Sequence, residues 1–315
     1  MTVLACDFGG RRIKLGLVRD GRVLASSVLP AHSDQPLAKR LPAVAQALRE
    51  VCDVPGVALR DCRGIGISYP SIIEPVHGQI LDEFGKYGNV SSLDLRAWAA
   101  AEFGLPLVIE NDARMALIGE WRYGAGRGCD NLAIMMLGTG LGAAAVVEGC
   151  PLRGCHGQAG ILGGHLTVQQ DGRRCVCGNQ GCAEAEASTS VLAEIAQQVP
   201  AYANSPLAGE SELSYHAVFH WSAEGDPCAT YLKEHSLKVW GAMAVNLIHA
   251  YDPEMLILGG GIMGSAEVVL PAIALWVQSR AHTPWGQVRV VASQLGDRAA
   301  LLAAEWLTEE RLKGV

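Results

Sequence analysis

The chain lacks any cluster of lysine and arginine. Its 25 basic side chains are outnumbered by 32 acidic ones, for a formal net charge of −7, which argues against a nucleic-acid surface, because phosphate backbones are gripped by clustered cations. It also lacks a secretion signal: Met1-Thr2-Val3-Leu4-Ala5-Cys6-Asp7 offers no basic region, apolar stretch or cleavage site. The long uncharged run at residues 132–147 falls short of the ~20 residues a spanning helix needs. Gly138, Gly140 and Gly142 break it, so it reads as strand, turn, strand. Low-complexity runs and Pro-rich linkers are absent too. What remains is a globular composition, half of it apolar, with no membrane partner expected and a cytoplasmic location.

Two residue types are abundant. Thirty-seven glycines imply many turns and close backbone approaches. Ten cysteines would suit a disulfide scaffold, but a chain of 315 residues without a secretion signal belongs in a reducing compartment, which turns attention to metal binding. The length exceeds the ~250–300 residues at which one core stops growing, so two domains are expected.

Strands at 3–6, 13–18 and 23–29 are punctuated by Gly9-Gly10 and Asp20-Gly21 and form a meander. A helical pattern at 37–51, a strand at 64–69, a helix at 93–103 and a strand at 107–109 complete an α/β lobe over residues 1–112. Residues 113–296 restart the plan: a glycine-turned hairpin (132–137, 142–147), a long helix at 229–250, a buried strand at 255–258 ending in Gly259-Gly260-Gly261, and a helix from about 266. The segment at about 297–315 is helical, with Asp297 as its N-cap, and packs back on the first lobe. The fold class is therefore α/β with two lobes, and the cleft expected between them, lined by glycine-turn N–H groups, suits a phosphate chain.

The most specific local signal is His165, Cys175, Cys177 and Cys182, a His-x9-Cys-x-Cys-x4-Cys pattern. Three thiolates and one imidazole make a closed tetrahedral zinc site, and with no position left for water the metal would be structural. Free buried cysteines are the alternative. Asp112, in Glu110-Asn111-Asp112-Ala113, sits where a buried strand passes into a helix. It is either a helix N-cap or, beyond the carboxyl end of a strand, a base for a substrate hydroxyl. Asp7-Phe8-Gly9-Gly10 and Leu137-Gly138-Thr139-Gly140-Leu141-Gly142 each follow a strand; singly they are turns, and paired they suggest phosphate contacts. Gly259-Gly260-Gly261 lets a flat ligand such as adenine approach backbone, or is simply a strand-to-helix turn.

Taken in order with Asn246, Asp252-Pro253-Glu254 and Leu258, these motifs resemble the ROK family of sugar kinases and repressors over nearly the whole chain. The resemblance implies an actin-like pair of α/β lobes, with Asp112 as catalytic base and Asp7 helping to hold magnesium. It implies ATP contacts from Gly9, Gly10, Arg11, Gly138, Thr139, Gly140, Gly259, Gly260 and Gly261. Sugar contacts are implied for Asn111, Asp112, His165 and Glu184, with His165 serving the zinc through its other ring nitrogen; an exposed Glu at a helix start is the plainer reading of Glu184. A small sugar as substrate and a homodimer are implied as well.

Three segments depart from the family pattern. Arg11, followed by Arg12, stands where a threonine is usual. Leu162-Gly163-Gly164-His165, after a one-residue insertion, replaces Glu-x-Gly-His and removes a sugar-binding carboxylate. Ser68-Tyr69-Pro70-Ser71-Ile72 replaces Gly-x-Pro-Gly-Pro. An ATP-dependent carbohydrate kinase with an atypical substrate site is the expected function. A non-catalytic sugar or nucleotide sensor is the alternative, for which Arg11 is the best argument. A repressor would need a winged helix-turn-helix ahead of the strand at Val3 and is not expected.

Overall fold

The computed structural model describes residues 1–74, 76–82 and 85–313. Gly314 and Val315, at the end of the expected final segment, lie outside the described residues. The chain forms two compact units: Met1–Gly128 with Arg153–Ala159 and Gln294–Val315, and Cys129–Leu152 with Gly160–Ser293.

In the first unit β1 (Thr2–Phe8), β2 (Arg12–Arg19) and β3 (Arg22–Pro30) form the expected antiparallel meander. Asp20 and Gly21 turn β2 into β3 with φ of 52° and 68°, the doubly left-handed turn that matches strand twist. β4 (Cys62–Tyr69) and β5 (Leu107–Asn111) then add in parallel, giving the order β3-β2-β1-β4-β5 with β5 at one edge. The helical pattern at 37–51 splits into a 3-10 turn, Leu37–Lys39, and α1 (Leu41–Glu50). Pro42, with no N–H to give, sits in the first turn of α1, where none is required. α2 (Leu95–Phe103) starts two residues later than its pattern, because Asp94 caps it by accepting from Ala97 N at 2.9 Å.

α3 (Asp112–Tyr123) belongs to this unit, so the boundary lies at Gly128 and not at 112. The physical reason is packing. Met115 and Ile118 of α3 are buried with Leu301, Leu302 and Leu307, and Trp121 meets Trp306 edge-on at 5.5 Å.

The second unit repeats the plan without repeating the sequence. β6 (Leu132–Leu137), β7 (Leu141–Val147) and the short β8 (Cys150–Pro151) are antiparallel, and β9 (Met255–Gly259) and β10 (Arg289–Ala292) add in parallel, in the order β10-β9-β6-β7-β8. Against this sheet lie α4 (Ala183–Ala187), α5 (Leu192–Gln197), α6 (Tyr215–Ala223), α7 (Pro227–Tyr251) and α8 (Ala266–Arg280). Asp226 caps α7 by accepting from Ala229 N, and Pro227 occupies its first turn. The Ala187 carbonyl accepts from both Tyr215 Oη, at 2.9 Å, and Trp240 Nε1, at 3.1 Å, which pins the end of α4 to the core. Among the described residues Gly261–Arg280 is the one stretch long and apolar enough to cross a bilayer. Val269, Ile273 and Val277 of that stretch are core residues of this unit.

The last helix, α9 (Ala299–Lys313), belongs to the first unit. Asp297 pairs with Arg12 and Lys14, an ionic role where a capping one was expected.

Candidate active site and metal centre

At the end of β5 the chain enters α3 with no intervening loop, so the first helical N–H groups need a cap at once. Asn111 provides it: its side-chain oxygen accepts from Arg114 N at 3.1 Å, while Nδ2 donates to Ser71 O and to Asp112 Oδ1, each at 3.1 Å. With Asn111 as cap, Asp112 sits inside the first turn, where its carboxylate accepts from Ala113 N at 2.8 Å as well as from that amide. Burial pushes the Asp112 carboxyl up to about 6; Asp7 pushes the same way, and Lys86 and the backbone N–H groups oppose it. A carboxylate with its proton affinity raised toward neutrality is suited to accept a hydroxyl proton.

Asp7, near the end of β1, receives the Ser68 hydroxyl on Oδ1 at 2.7 Å and the Lys14 ammonium on Oδ2 at 3.2 Å. Lys14 also reaches Asp297 at 2.9 Å, and Arg12 holds Asp297 at 3.0 Å. Burial would lower the Lys14 ammonium, but Asp7 and Asp297 more than offset it, so its pKa is raised. Sequence reasoning found Asp7 and missed both partners; a lysine on a strand in register with Asp7 across the β1–β2 pair was the available signal. The carbonyl of Gly9 accepts the Tyr87 hydroxyl at 2.7 Å, and Tyr87 packs with Phe8 and Tyr69 under this turn. Arg11 is exposed at the turn between β1 and β2, and its carbonyl accepts from Ala31 N.

A second network escaped the sequence altogether. Glu110, buried, is clamped between Arg114 on one oxygen and Arg153 on the other, the latter at 2.8 Å. Arg114 Nη2 also donates to the carbonyls of Gly157, at 2.9 Å, and Ala159, at 3.0 Å. These bonds explain why Arg153–Ala159 belongs to the first unit although the flanking sequence belongs to the second.

In the second unit the glycine turns meet at the carboxyl ends of the parallel neighbours β6 and β9, the end of an α/β sheet where ligands bind. Gly260 has φ 92°, and any side chain there would collide with the Leu137 carbonyl, so glycine is required. Glu184, in the first turn of α4, accepts Leu141 N on Oε2 at 2.8 Å, and a Cβ at Gly140 would stand 2.5 Å from that oxygen. The structure therefore seats Glu184 against the Gly138-Thr139-Gly140 turn. Ile161 is buried and Leu162 half-buried, so the segment before His165 is apolar where a carboxylate is usual.

The four residues of the metal pattern converge. One ligand atom from each of His165, Cys175, Cys177 and Cys182 lies within 4.8 Å of the others; Cys175 Sγ is 3.4 Å from His165 Nδ1 and Cys177 Sγ is 3.7 Å from Cys182 Sγ. Bonds of ~2.3 Å to thiolates in a tetrahedron place neighbouring sulfurs about 3.8 Å apart, so the spacing fits a four-coordinate zinc. Nδ1 is the nitrogen turned to the thiols.

The ROK family profile matches residues 3–311. The chain is 29% identical over 326 residues to a glucokinase of Thermotoga maritima, covering 100% of this chain and 99% of that protein. Its fold matches a ROK family glucokinase from Streptomyces griseus, solved in complex with glucose and AMPPNP, with a TM-score of 0.82 and 28% identity, over 98% of this chain and 100% of that one. A ROK hexokinase from Thermus thermophilus matches with a TM-score of 0.80 and 28% identity, over 100% of both chains. Two α/β units of equivalent sheet topology, matched by solved ROK kinases, place the chain in the actin-like fold class. The protein belongs to the ROK family.

Proposed function

We infer that the protein is an ATP-dependent sugar kinase whose base is Asp112. The observation that carries this reading is the division of labour at the β5–α3 junction. Asn111 takes over the capping, and burial leaves Asp112 with a carboxyl raised to about 6. Kinship to glucokinases, one of them bound to glucose and an ATP analogue, supports the substrate class.

In the reaction Asp112 accepts the proton of the attacking sugar hydroxyl as the γ-phosphoryl group transfers in line, with positioning and charge stabilisation supplying most of the rate. Asn111 orients Asp112 through its Nδ2 bond. The glycine turns at Gly9-Gly10, Gly138-Thr139-Gly140 and Gly259-Gly260-Gly261 offer backbone donors to ATP. Asp7 would hold magnesium through its carboxylate, a donor set that fits an ion bound by one or two carboxylates plus substrate phosphates. When bound there, magnesium would supply charge neutralisation along the phosphates. His165, Cys175, Cys177 and Cys182 would hold a structural zinc, and with Nδ1 turned to the thiols the His165 imidazole would keep Nε2 for the sugar. Asn111, Asp112, His165 and Glu184 contact the sugar. The apolar Ile161-Leu162 segment makes the substrate site atypical.

The reading is tested by sugar-dependent ADP release with purified protein, ATP and magnesium, in the parent and in Asp112→Asn. Sugar-independent or absent turnover across hexoses, N-acetylhexosamines and ketoses would favour the sensor alternative.

A further inference from the structure

At the edge strand β5, elements of the first unit line a half-open cavity of about 250 Å³ that the catalytic reading does not use. Its charged lining is unusual for an acidic chain: four guanidinium groups, Arg96, Arg114, Arg153 and Arg311, against two carboxylates, Glu110 and Glu310. Glu110 is already shared by Arg114 and Arg153, and Glu310 is held by Lys313 at 3.1 Å. Among the described residues neither carboxylate forms an ion pair with the other two arginines.

Among the described residues those two are underpaired. Arg96 and Arg311 both point an Nη2 at one neutral acceptor, the Val76 carbonyl, at 3.4 Å and 2.7 Å. Arg96 Nε is buried with no hydrogen-bond partner among the described residues. A buried, unmatched guanidinium donor costs free energy unless a ligand pairs it, and two cations drawn to one carbonyl repel each other until an anion joins them. Guanidinium forks match the oxygens of a phosphate, and the cavity lies just under the roughly 300–1,000 Å³ of sites for drug-sized ligands, a size suited to a small ligand.

We propose that this cavity binds a small phosphate monoester of monosaccharide size, gripped by Arg96 and Arg311 and by the net positive charge of the Glu110 network. Strand β5 forms part of the wall and runs directly into Asn111 and Asp112, so an occupant here is placed to influence the β5–α3 junction.

The test is isothermal titration of the full chain with glucose 6-phosphate, with inorganic phosphate and with glucose. It is repeated on Arg96→Gln, Arg311→Gln and the double variant, with melting curves confirming that each is folded. Arg311 is exposed on the last helix, so its replacement leaves the core intact. The expected result is phosphate-dependent binding that weakens about tenfold or more in each single variant, the effect of removing one charge-assisted donor, and that also weakens with salt. Tighter binding of the sugar phosphate assigns the ester as ligand, and equal binding assigns the free anion. Binding unchanged in the double variant, or no binding of either phosphate by the parent at millimolar concentration, overturns the proposal.

Discussion

The ammonium of Lys14 stands 3.2 Å from Oδ2 of Asp7, on the oxygen that the Ser68 hydroxyl leaves open. A cation built into the chain therefore occupies one side of the carboxylate to which magnesium is assigned. Lys14→Met should remove that competitor and strengthen magnesium dependence, lowering the magnesium concentration for half-maximal rate. Asp7→Asn should raise it. Titrating magnesium at saturating ATP checks both, and identical midpoints in all three proteins would separate Asp7 from the metal.

Asp112→Asn keeps the shape of the junction, because Asn111 and not Asp112 caps α3. Turnover should fall by about 10²–10⁴ with the melting temperature nearly unchanged. A large loss of stability with a small loss of rate would return Asp112 to a structural role.

The pH dependence follows from the same residue. A base raised to about 6 is active when ionised, so kcat/KM should drop as pH falls through that region and level off above it. Burial disfavours the ionised Asp112 in the fold, so stability from this group is greatest while it is protonated and declines as pH rises from the ordinary carboxylate range to about 6. Rate–pH profiles that show no inflection near 6, or one unaltered in Asp112→Asn, would contradict the assignment.

The convergence of His165, Cys175, Cys177 and Cys182 predicts one zinc per chain by elemental analysis. Chelation or Cys177→Ser should lower the melting temperature, since the metal's binding energy is folding energy for the loop. A zinc-free, equally stable protein would contradict a metal at this cluster.

Breaking the Glu110 clamp tests the positioning of the Arg153–Ala159 segment. Glu110→Gln leaves Arg114, buried almost completely, with an uncompensated charge, and should cost about 3–5 kcal/mol of stability. Thermal and urea unfolding measure it. A variant as stable as the parent would mean that the Gly157 and Ala159 carbonyls alone satisfy Arg114.

The two sheets were readable because strand patterns and glycine turns are local signals. Asp20-Gly21, the hairpin around Gly138-Thr139-Gly140 and the buried strand before Gly259 each announce themselves within a few residues. The convergence of His165, Cys175, Cys177 and Cys182 was readable for the same reason, all four falling in one short segment. Long-range electrostatics was not. Arg153 meets Glu110 across 43 positions, and Lys14 meets Asp297 from the opposite end of the chain, and no periodicity encodes either pair. The boundary moved from 112 to Gly128 because the tryptophans that bind α3 to α9, Trp121 and Trp306, become neighbours only in the folded chain.

The central claim is that the protein moves the γ-phosphate of ATP to a sugar hydroxyl. Its most direct measurement is steady-state ADP release over a panel of neutral sugars, with the phosphorylated product identified by mass. Sugar-dependent turnover with stoichiometric sugar phosphate is predicted. Glucose and N-acetylhexosamines should trail the best substrate by about tenfold to a hundredfold, because the apolar Ile161-Leu162 segment leaves a sugar hydroxyl unpaired. ATP turnover that no sugar stimulates, with no phosphorylated sugar formed, would contradict the account.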